Sequence, residues 1–322
     1  MTTEERSTTD VLVVGAGPAG LSAAIALGRL GVSTVVVERR PTTSHHPRGH
    51  VENGRTMELF RLWGVEQEVR AEGLPREFKT AIEFMSRLAG ISLGGLRFSQ
   101  DSEWLMGRDG KGPASLSSTP QDRLEPILLR AAEKLPGVTV RFATEVLSVD
   151  EQTESVTAVV RNPDGSHETL AARYLLAADG PRSHTRAHLG IDVEGPGTLG
   201  SQLGIYFHAD LSRWVSERPA ELYWLYNPDV QGVLISLDGH ERWHLLFAYD
   251  GEQESNADYP PERCEAIVRE LVGSPDVEID IRSAMPWRMR AAVAQHFRSG
   301  RVFLAGDAAH TMPPTGGLGR VC

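Results

Sequence analysis

Val11 to Glu38 reads VLVVGAGPAGLSAAIALGRLGVSTVVVE, and the order of residue types in it decides the fold. Val11 to Val14 is a short β-branched apolar run of the kind a buried parallel strand needs. Gly15, Gly17 and Gly20 follow as G-x-G-x-x-G, where the glycines serve a tight turn, close backbone approach to a pyrophosphate and close helix-on-strand packing. Leu21, Ala24, Ile25 and Gly28 recur at helical spacing, Gly31 marks the helix end, and Val35 to Val37 read as a second strand. The helix N-terminus offers free N–H groups to a phosphate. Glu38, 18 residues beyond Gly20, is placed to accept from the ribose hydroxyls of an adenosine. Three glycines alone are a common turn, and a strand-end carboxylate needs no ligand. The sequence strand, glycines, helix, strand, carboxylate is what separates a dinucleotide site from both.

Composition sets the frame around this stretch. The 322 residues suffice for two domains, and 40% hydrophobic with 24% charged residues is ordinary for a soluble globular chain. A net charge of -10 argues against a nucleic-acid partner, which calls for a basic surface. Cys264 and Cys322 stand far apart without metal-ligand spacing, so neither a disulfide framework nor a metal site is expected. Met1 to Asp10 lacks an apolar signal region, and no run approaches the roughly 18 apolar residues of a membrane span. A soluble, cytoplasmic protein is the expectation, with its oligomeric state open.

Past Glu38, the polar loop Arg39 to Gly49 is long for a plain connector, as functional loops often are. Arg48 is a candidate contact for a pyrophosphate or substrate, whereas His45 and His46 read as solvated loop residues. A helix is expected over Glu52 to Gly64, with Met57, Phe60 and Trp63 facing inward and Arg55 near its start, where a guanidinium could reach back to the nucleotide. Residues 77–112 read as strands of a second sheet. After Pro120, Leu124, Ile127, Leu128, Ala131 and Leu135 mark an amphipathic helix, with Gln121 at its mouth and Asp122 and Glu125 as a capping box. Strands are expected over Val138–Phe142, Val146–Val149, Val156–Arg161 and Leu170–Ala177, with a turn at Asn162-Pro163-Asp164-Gly165. From Gly190 to about Met285 the chain turns aromatic and strand-like, over Ile205–Phe207, Leu222–Tyr226, Val233–Leu237 and Trp243–Tyr249. An apolar face of that sheet could floor a pocket for a flat ligand, although core packing accounts for most of its aromatics.

Two further stretches end buried strands in Gly-Asp chemistry. Tyr174 to Arg182, YLLAADGPR, places Asp179-Gly180 beyond a strand's carboxyl end, where ligands bind in open α/β sheets. Gly300 to Gly319, GRVFLAGDAAHTMPPTGGLG, places Gly306-Asp307 likewise, with Asp307 suited to a ribitol or ribose hydroxyl and the Gly316–Gly319 amides to an anionic oxygen.

With these stretches together, the chain resembles the class A flavoprotein monooxygenases of the para-hydroxybenzoate hydroxylase fold, and among them the aromatic polyketide and phenol hydroxylases. VVGAGPAGLSAAIALGRLGVSTVVVER, PRGHVENGRTMELFRLWGV, LLAADGPRS and GRVFLAGDAAHTMPPTGGLG carry the match, which spans nearly the whole chain. The resemblance implies an α/β fold: a Rossmann-like FAD-binding domain with a parallel sheet (1–75, 113–190 and 286–322) and an antiparallel-sheet α+β substrate domain (76–112 and 191–285). It implies FAD binding by Gly15, Gly17, Ala19, Gly20, Glu38, Arg39, Arg48, Gln121, Val146, Asp179, Gly180, Asp307, Pro314, Gly316, Gly317 and Leu318. Arg48 and Pro314 are the candidates nearest the flavin, Pro314 with Gly316 and Gly317 beside the isoalloxazine. NAD(P)H as reductant, O2 as co-substrate and a C4a-hydroperoxide hydroxylating a small phenolic or polyketide ring complete what the resemblance implies, with no metal. One alternative is a cyclase on the same scaffold with FAD in a structural role. Family members usually continue past Gly-Gly-x-Gly with an asparagine, a glycine and a long helix. Here Arg320-Val321-Cys322 follow, with Val321 at the asparagine position. Weakened FAD binding and exposed apolar surface are therefore expected, and an inactive remnant is the other alternative.

Overall fold

The structure, a computed structural model, describes residues 7–97 and 113–314. In chain order its elements begin with β1 (Ser7–Val14), α1 (Pro18–Arg29), β2 (Thr34–Val37), β3 (Val51–Glu52), α2 (Gly54–Trp63), α3 (Glu66–Ala71), β4 (Ala81–Met85), β5 (Ser92–Arg97), β6 (Ser117–Ser118), α4 (Gln121–Glu133) and β7 (Val138–Arg141). They continue with β8 (Glu145–Glu151), β9 (Val156–Arg161), β10 (His167–Ala177), α5 (His184–His188), β11 (Val193–His208), α6 (Ser212–Val215), β12 (Leu222–Tyr226), β13 (Gln231–Ser236) and β14 (Arg242–Ala248). Last come α7 (Pro261–Val272), β15 (Asp280–Ala294), β16 (Arg298–Ser299), β17 (Val302–Leu304) and β18 (His310–Thr311).

The fold is mixed α/β, as expected, with two large sheets. The first runs β16-β17-β10-β1-β2-β7; β17, β10, β1, β2 and β7 are parallel to one another, while β16 and β9 pair antiparallel with β17 and β10. Its central strands are apolar on both sides because helices cover one face and the β8-β9 hairpin region the other. Leu21, Ala24 and Ile25 of α1 pack with Leu124, Ile127 and Leu128 of α4 and with Met57 and Phe60 of α2 in one core. Val149, Val156, Ala158 and Val160 close the opposite face over Leu12, Val14 and Leu175. α2 is capped as its sequence asks: the Asn53 side chain accepts from the Thr56 N–H at 2.9 Å, and Gly64 ends the helix at φ +77°.

The second sheet runs β18-β15-β11-β14-β13-β12-β4-β5. One of its faces is a packed core, with Leu203, Ile205, Phe207, Trp243, Leu245 and Phe247 against Cys264, Val268, Leu271 and Val272 of α7. That helix was not read from the sequence. The division expected at 285/286 falls inside β15, which pairs with β11 from Val193↔Ala294 to His208↔Asp280, and β18 joins β15 from the segment assigned to the other domain. Two long strands thus run from the second layer back to the first, and no change of composition marks the crossing.

The capping box expected at Asp122 and Glu125 is corrected. Pro120 occupies the N-cap, and both carboxylates have tertiary partners instead: Asp122 takes Arg242 at 2.5 Å, and Glu125 accepts from the Ser44 N–H at 2.6 Å. Among the described residues no helix is long and apolar enough to cross a membrane.

Candidate functional site

The carboxyl ends of β1, β2, β10 and β17 converge, and each sequence motif arrives there on one of them. Gly15 leaves β1 at φ +105°, and a Cβ on it would lie 2.3 Å from the Ala178 carbonyl oxygen, so the first and second motifs touch backbone to backbone. A Cβ on Gly20 would lie 1.9 Å from the Gly15 oxygen, which is the close helix-on-strand packing its position predicts. Gly17, the N-cap of α1, has open space where its Cβ would be. Gly306 turns at φ +57° with its missing Cβ 2.8 Å from that of Ala19, so the third motif abuts the first.

Glu38 is buried at the end of β2 and accepts from the Ala16 N–H at 2.9 Å and from the backbone N–H and Nε of Arg40, each at 3.0 Å. Burial alone would raise its carboxyl, but these bonds outweigh it and hold it below the usual carboxylate range. Asp179 accepts from the N–H and Oγ1 of Thr185 through Oδ2, at 3.1 Å each, while its buried Oδ1 has no partner among the described residues. Gly180 follows at φ +84°. Asp307 is exposed in a 3-10 turn, and Pro314 is exposed at the last described position. Val146, on β8, packs against the cluster containing Val14, Val37 and Ala177. Gly316, Gly317 and Leu318 lie outside the described residues, as do Val321 and Cys322.

The loop after β2 brings a cationic group to the same place. Arg48 is crowded rather than neutralised: desolvation and then the charges of Arg40, Arg182 and Arg39 lower its pKa, with Glu125 opposing. Gln121 opens α4 beside them, its N–H donating to the Gly49 carbonyl at 2.9 Å and its Nε2 to Glu125 at 2.6 Å. Glu125, 0% exposed, is therefore the buried post on which the loop hangs, a role that a carboxylate in an apolar helix stripe does not announce. Arg55 is not brought to the site; it pairs with Glu58 at 2.8 Å on the surface.

His46 is a second correction, because it is buried rather than solvated. Its Nδ1 meets Ser283 Oγ at 2.7 Å, and its ring stands edge-on to His244 at 5.0 Å and to Tyr206 at 6.3 Å. Burial and the nearby Arg48 push its pKa down to about 4. This contact joins the loop to the second sheet's other face, where strand register sets two rows side by side. Ile82, Leu222, Ile235, His244, Tyr206 and Ser283 form one, and Phe84, Trp224, Val233, Leu246, Gly204 and Met285 the next. Phe84, Trp224 and Tyr226 stack in succession at 6.4 Å. Between this face and the loop is a cavity of about 610 Å3 whose walls include Arg40, Ser44, His46, Arg48, Tyr206 and Met285.

The geometry fits a dinucleotide at the strand ends: open space over Gly17, cations without an equal number of anions, and an orphaned carboxylate oxygen on Asp179. A family model described as FAD binding domain matches residues 8–320. The chain belongs to that family. Among curated relatives, aklavinone 12-hydroxylase RdmE of Streptomyces purpurascens is 41% identical over 318 residues, covering 96% of this chain and 58% of that protein. The 2,4-dichlorophenol 6-monooxygenase of Cupriavidus pinatubonensis is 36% identical over 323 residues, covering 97% and 53%. Among solved structures, the flavin-dependent monooxygenase PieE in complex with FAD and substrate aligns with a TM-score of 0.90 at 35% identity, covering 97% of this chain and 55% of that one. The chain spans 49% to 64% of the length of the curated relatives it matches.

Proposed function

We propose that the protein binds FAD at the strand ends of the first sheet and hydroxylates a phenolic or polyketide ring held against the aromatic face of the second. The observation that carries this reading is the loop from Arg39 to Gly49, which serves both places: Arg40 hydrogen-bonds Glu38 at the cradle, while His46 and Arg48 reach Ser283 and Met285 on the sheet. In this reading the first sheet with its helices is the FAD-binding part, and the second sheet is the substrate part.

Gly15, Gly17 and Gly20 let the backbone approach the pyrophosphate, and the N-terminus of α1 with Arg48 balances its charge. Glu38 takes the adenosine ribose once Arg40 yields, and Asp307 takes a ribityl hydroxyl. Ala19, Arg39, Gln121, Val146, Asp179, Gly180 and Pro314 complete the proposed contacts, with Gly316, Gly317 and Leu318 beyond the described residues. FAD, when bound, supplies electron transfer from NAD(P)H and activation of O2 for oxygen transfer to the ring. The protein's own part is to hold the ring flat on Phe84, Trp224 and their row neighbours and to exclude water from it. The relatives' names as hydroxylases and monooxygenases favour this redox reading over a cyclase.

The test is reconstitution. Purified protein mixed with FAD is expected to take up flavin, and added 2-naphthol is expected to raise NAD(P)H consumption under air and not under nitrogen. Protein that never takes up flavin overturns the reading, as does turnover of a phenol that needs neither NAD(P)H nor O2.

A further inference from the structure

The rows of the second sheet contain one residue out of keeping with a packed apolar floor. His244 is 3% exposed, lies between Ile235 and Tyr206, and leans over Gly204, where an added Cβ would sit 2.5 Å from its Nε2. Among the described residues neither its Nδ1 nor its Nε2 has a hydrogen-bond partner. A buried polar group left this way costs about 1–3 kcal/mol, which is hard to sustain across a fold unless something else completes it. We propose that His244 is a specificity-determining residue that hydrogen-bonds a hydroxyl substituent of the ring substrate, with His46 as the cover that the substrate displaces.

Four features support this seat. Burial, with His46 and His50 nearby, pushes the His244 pKa well below its ordinary value, so the ring is neutral. A neutral imidazole carries one donor and one acceptor on different ring nitrogens, and a phenolic hydroxyl can pair with whichever of them faces it, whereas an ether or a halogen can only accept. Gly204 supplies the space: any side chain there would fill the ground Nε2 occupies. The His46 ring makes one side-chain hydrogen bond, to Ser283, and belongs to a loop that already walls a cavity, so a rotation of this side chain would open the seat. Around the seat, Leu246, Val233 and Ile235 are apolar and the Tyr206 hydroxyl is already engaged by His208 and Arg242, which leaves His244 and the Ser283 hydroxyl that a displaced His46 would free.

The inference rests on the aromatic-hydroxylase reading, and the experiment separates the two. FAD-loaded protein is titrated with 2-naphthol and with 2-methylnaphthalene, which match in shape and differ in the hydroxyl. The wild-type chain is expected to prefer the naphthol, and His244→Leu to lose about tenfold in naphthol affinity while its methylnaphthalene affinity stays within about twofold. His244→Gln, which keeps a donor and an acceptor, is expected to restore part of the preference, and melting temperatures establish that each variant is folded. His46→Ala is expected to keep the preference. Equal weakening of both ligands by His244→Leu, no change in either, or loss of the preference in His46→Ala alone would each overturn the assignment. A wild-type chain that holds FAD and binds neither ring overturns the aromatic reading, and this inference with it.

Discussion

Gly17 and Gly20 stand three residues apart and have separable roles. At Gly20 a methyl would collide with the Gly15 carbonyl at 1.9 Å, so Gly20→Ala is expected to cost the fold itself about 3 kcal/mol. At Gly17 a methyl meets nothing within 4 Å, and its backbone, φ -75° and ψ -178°, suits any residue. Gly17→Ala should therefore stay within about 1 kcal/mol of wild type in the absence of flavin, the difference reflecting a poorer N-cap. Its effect should fall on FAD, because the open space is where a pyrophosphate would approach. Thermal melts without flavin, paired with FAD titrations, check both halves. A Gly17→Ala protein that binds FAD as well as wild type would remove the pyrophosphate from this turn. The same residues show what local sequence conveys well, since a glycine needed for contact with its own motif has a cause that lies within that motif.

At the scale of elements, α2 and α3 are joined by a carboxylate whose pKa gives a measurable acid response. Glu66 accepts from Arg61 at 2.5 Å and from Arg70 at 3.0 Å, and these bonds, the Arg61 one foremost, bring its pKa from 4.5 down to about 2. A carboxylate lowered on folding stabilises the native state above its unfolded pKa and loses that contribution as the pH falls through the folded one. The window is thus about 4.5 down to 2. With Arg61 half exposed, solvent screening keeps the loss well below what the shift alone would give. Denaturant melts across that window should show the loss in wild type, and Glu66→Gln should flatten it. At the other end of α2, Asn53→Ala should cost about 1 kcal/mol by the same measurement, because it frees the Thr56 N–H. α2 was legible because its periodicity and its closing Gly64 are local, whereas α3, a helix of six residues, is too short to show a period and was not expected. The start of α4 was not legible either: Asp122 and Glu125 have the spacing of a cap, yet Arg242, 120 residues away, and Ser44, 81 residues away, claim them. α7 was missed because its apolar stripe lies among strand-like aromatics, and the sheet face it covers is assembled only in the fold.

For the whole molecule, the parallel sheet and its three motifs could be read from the sequence, but the junction between the layers could not. His46 looked like one of two loop histidines, and only the loop's descent onto β14 and β15 makes it a buried partner of His244 and Ser283. That junction should be sensitive to acid in a window of its own. His46 has its pKa lowered from 6.5 to about 4, by burial and then by Arg48, and His244 is held well below its ordinary value, by burial and then by His46 and His50. For a histidine kept neutral by folding, the unfolded chain binds the proton first. Stability is therefore complete above about pH 6.5 and falls as the pH drops towards 4, by up to about 3 kcal/mol for His46 alone. The His46 range overlaps the Glu66 window only between about pH 4.5 and 4, so most of each response falls on its own part of the pH axis. His46→Gln should remove part of the upper loss and leave the lower one unchanged. Because the titrating histidines sit between the layers, intrinsic tryptophan fluorescence, to which Trp224 on the aromatic face contributes, should change over pH 6.5 to 4 before the parallel sheet loses its circular dichroism. Simultaneous loss of both signals, with no flattening in His46→Gln, would mean that the layers are not joined through these histidines.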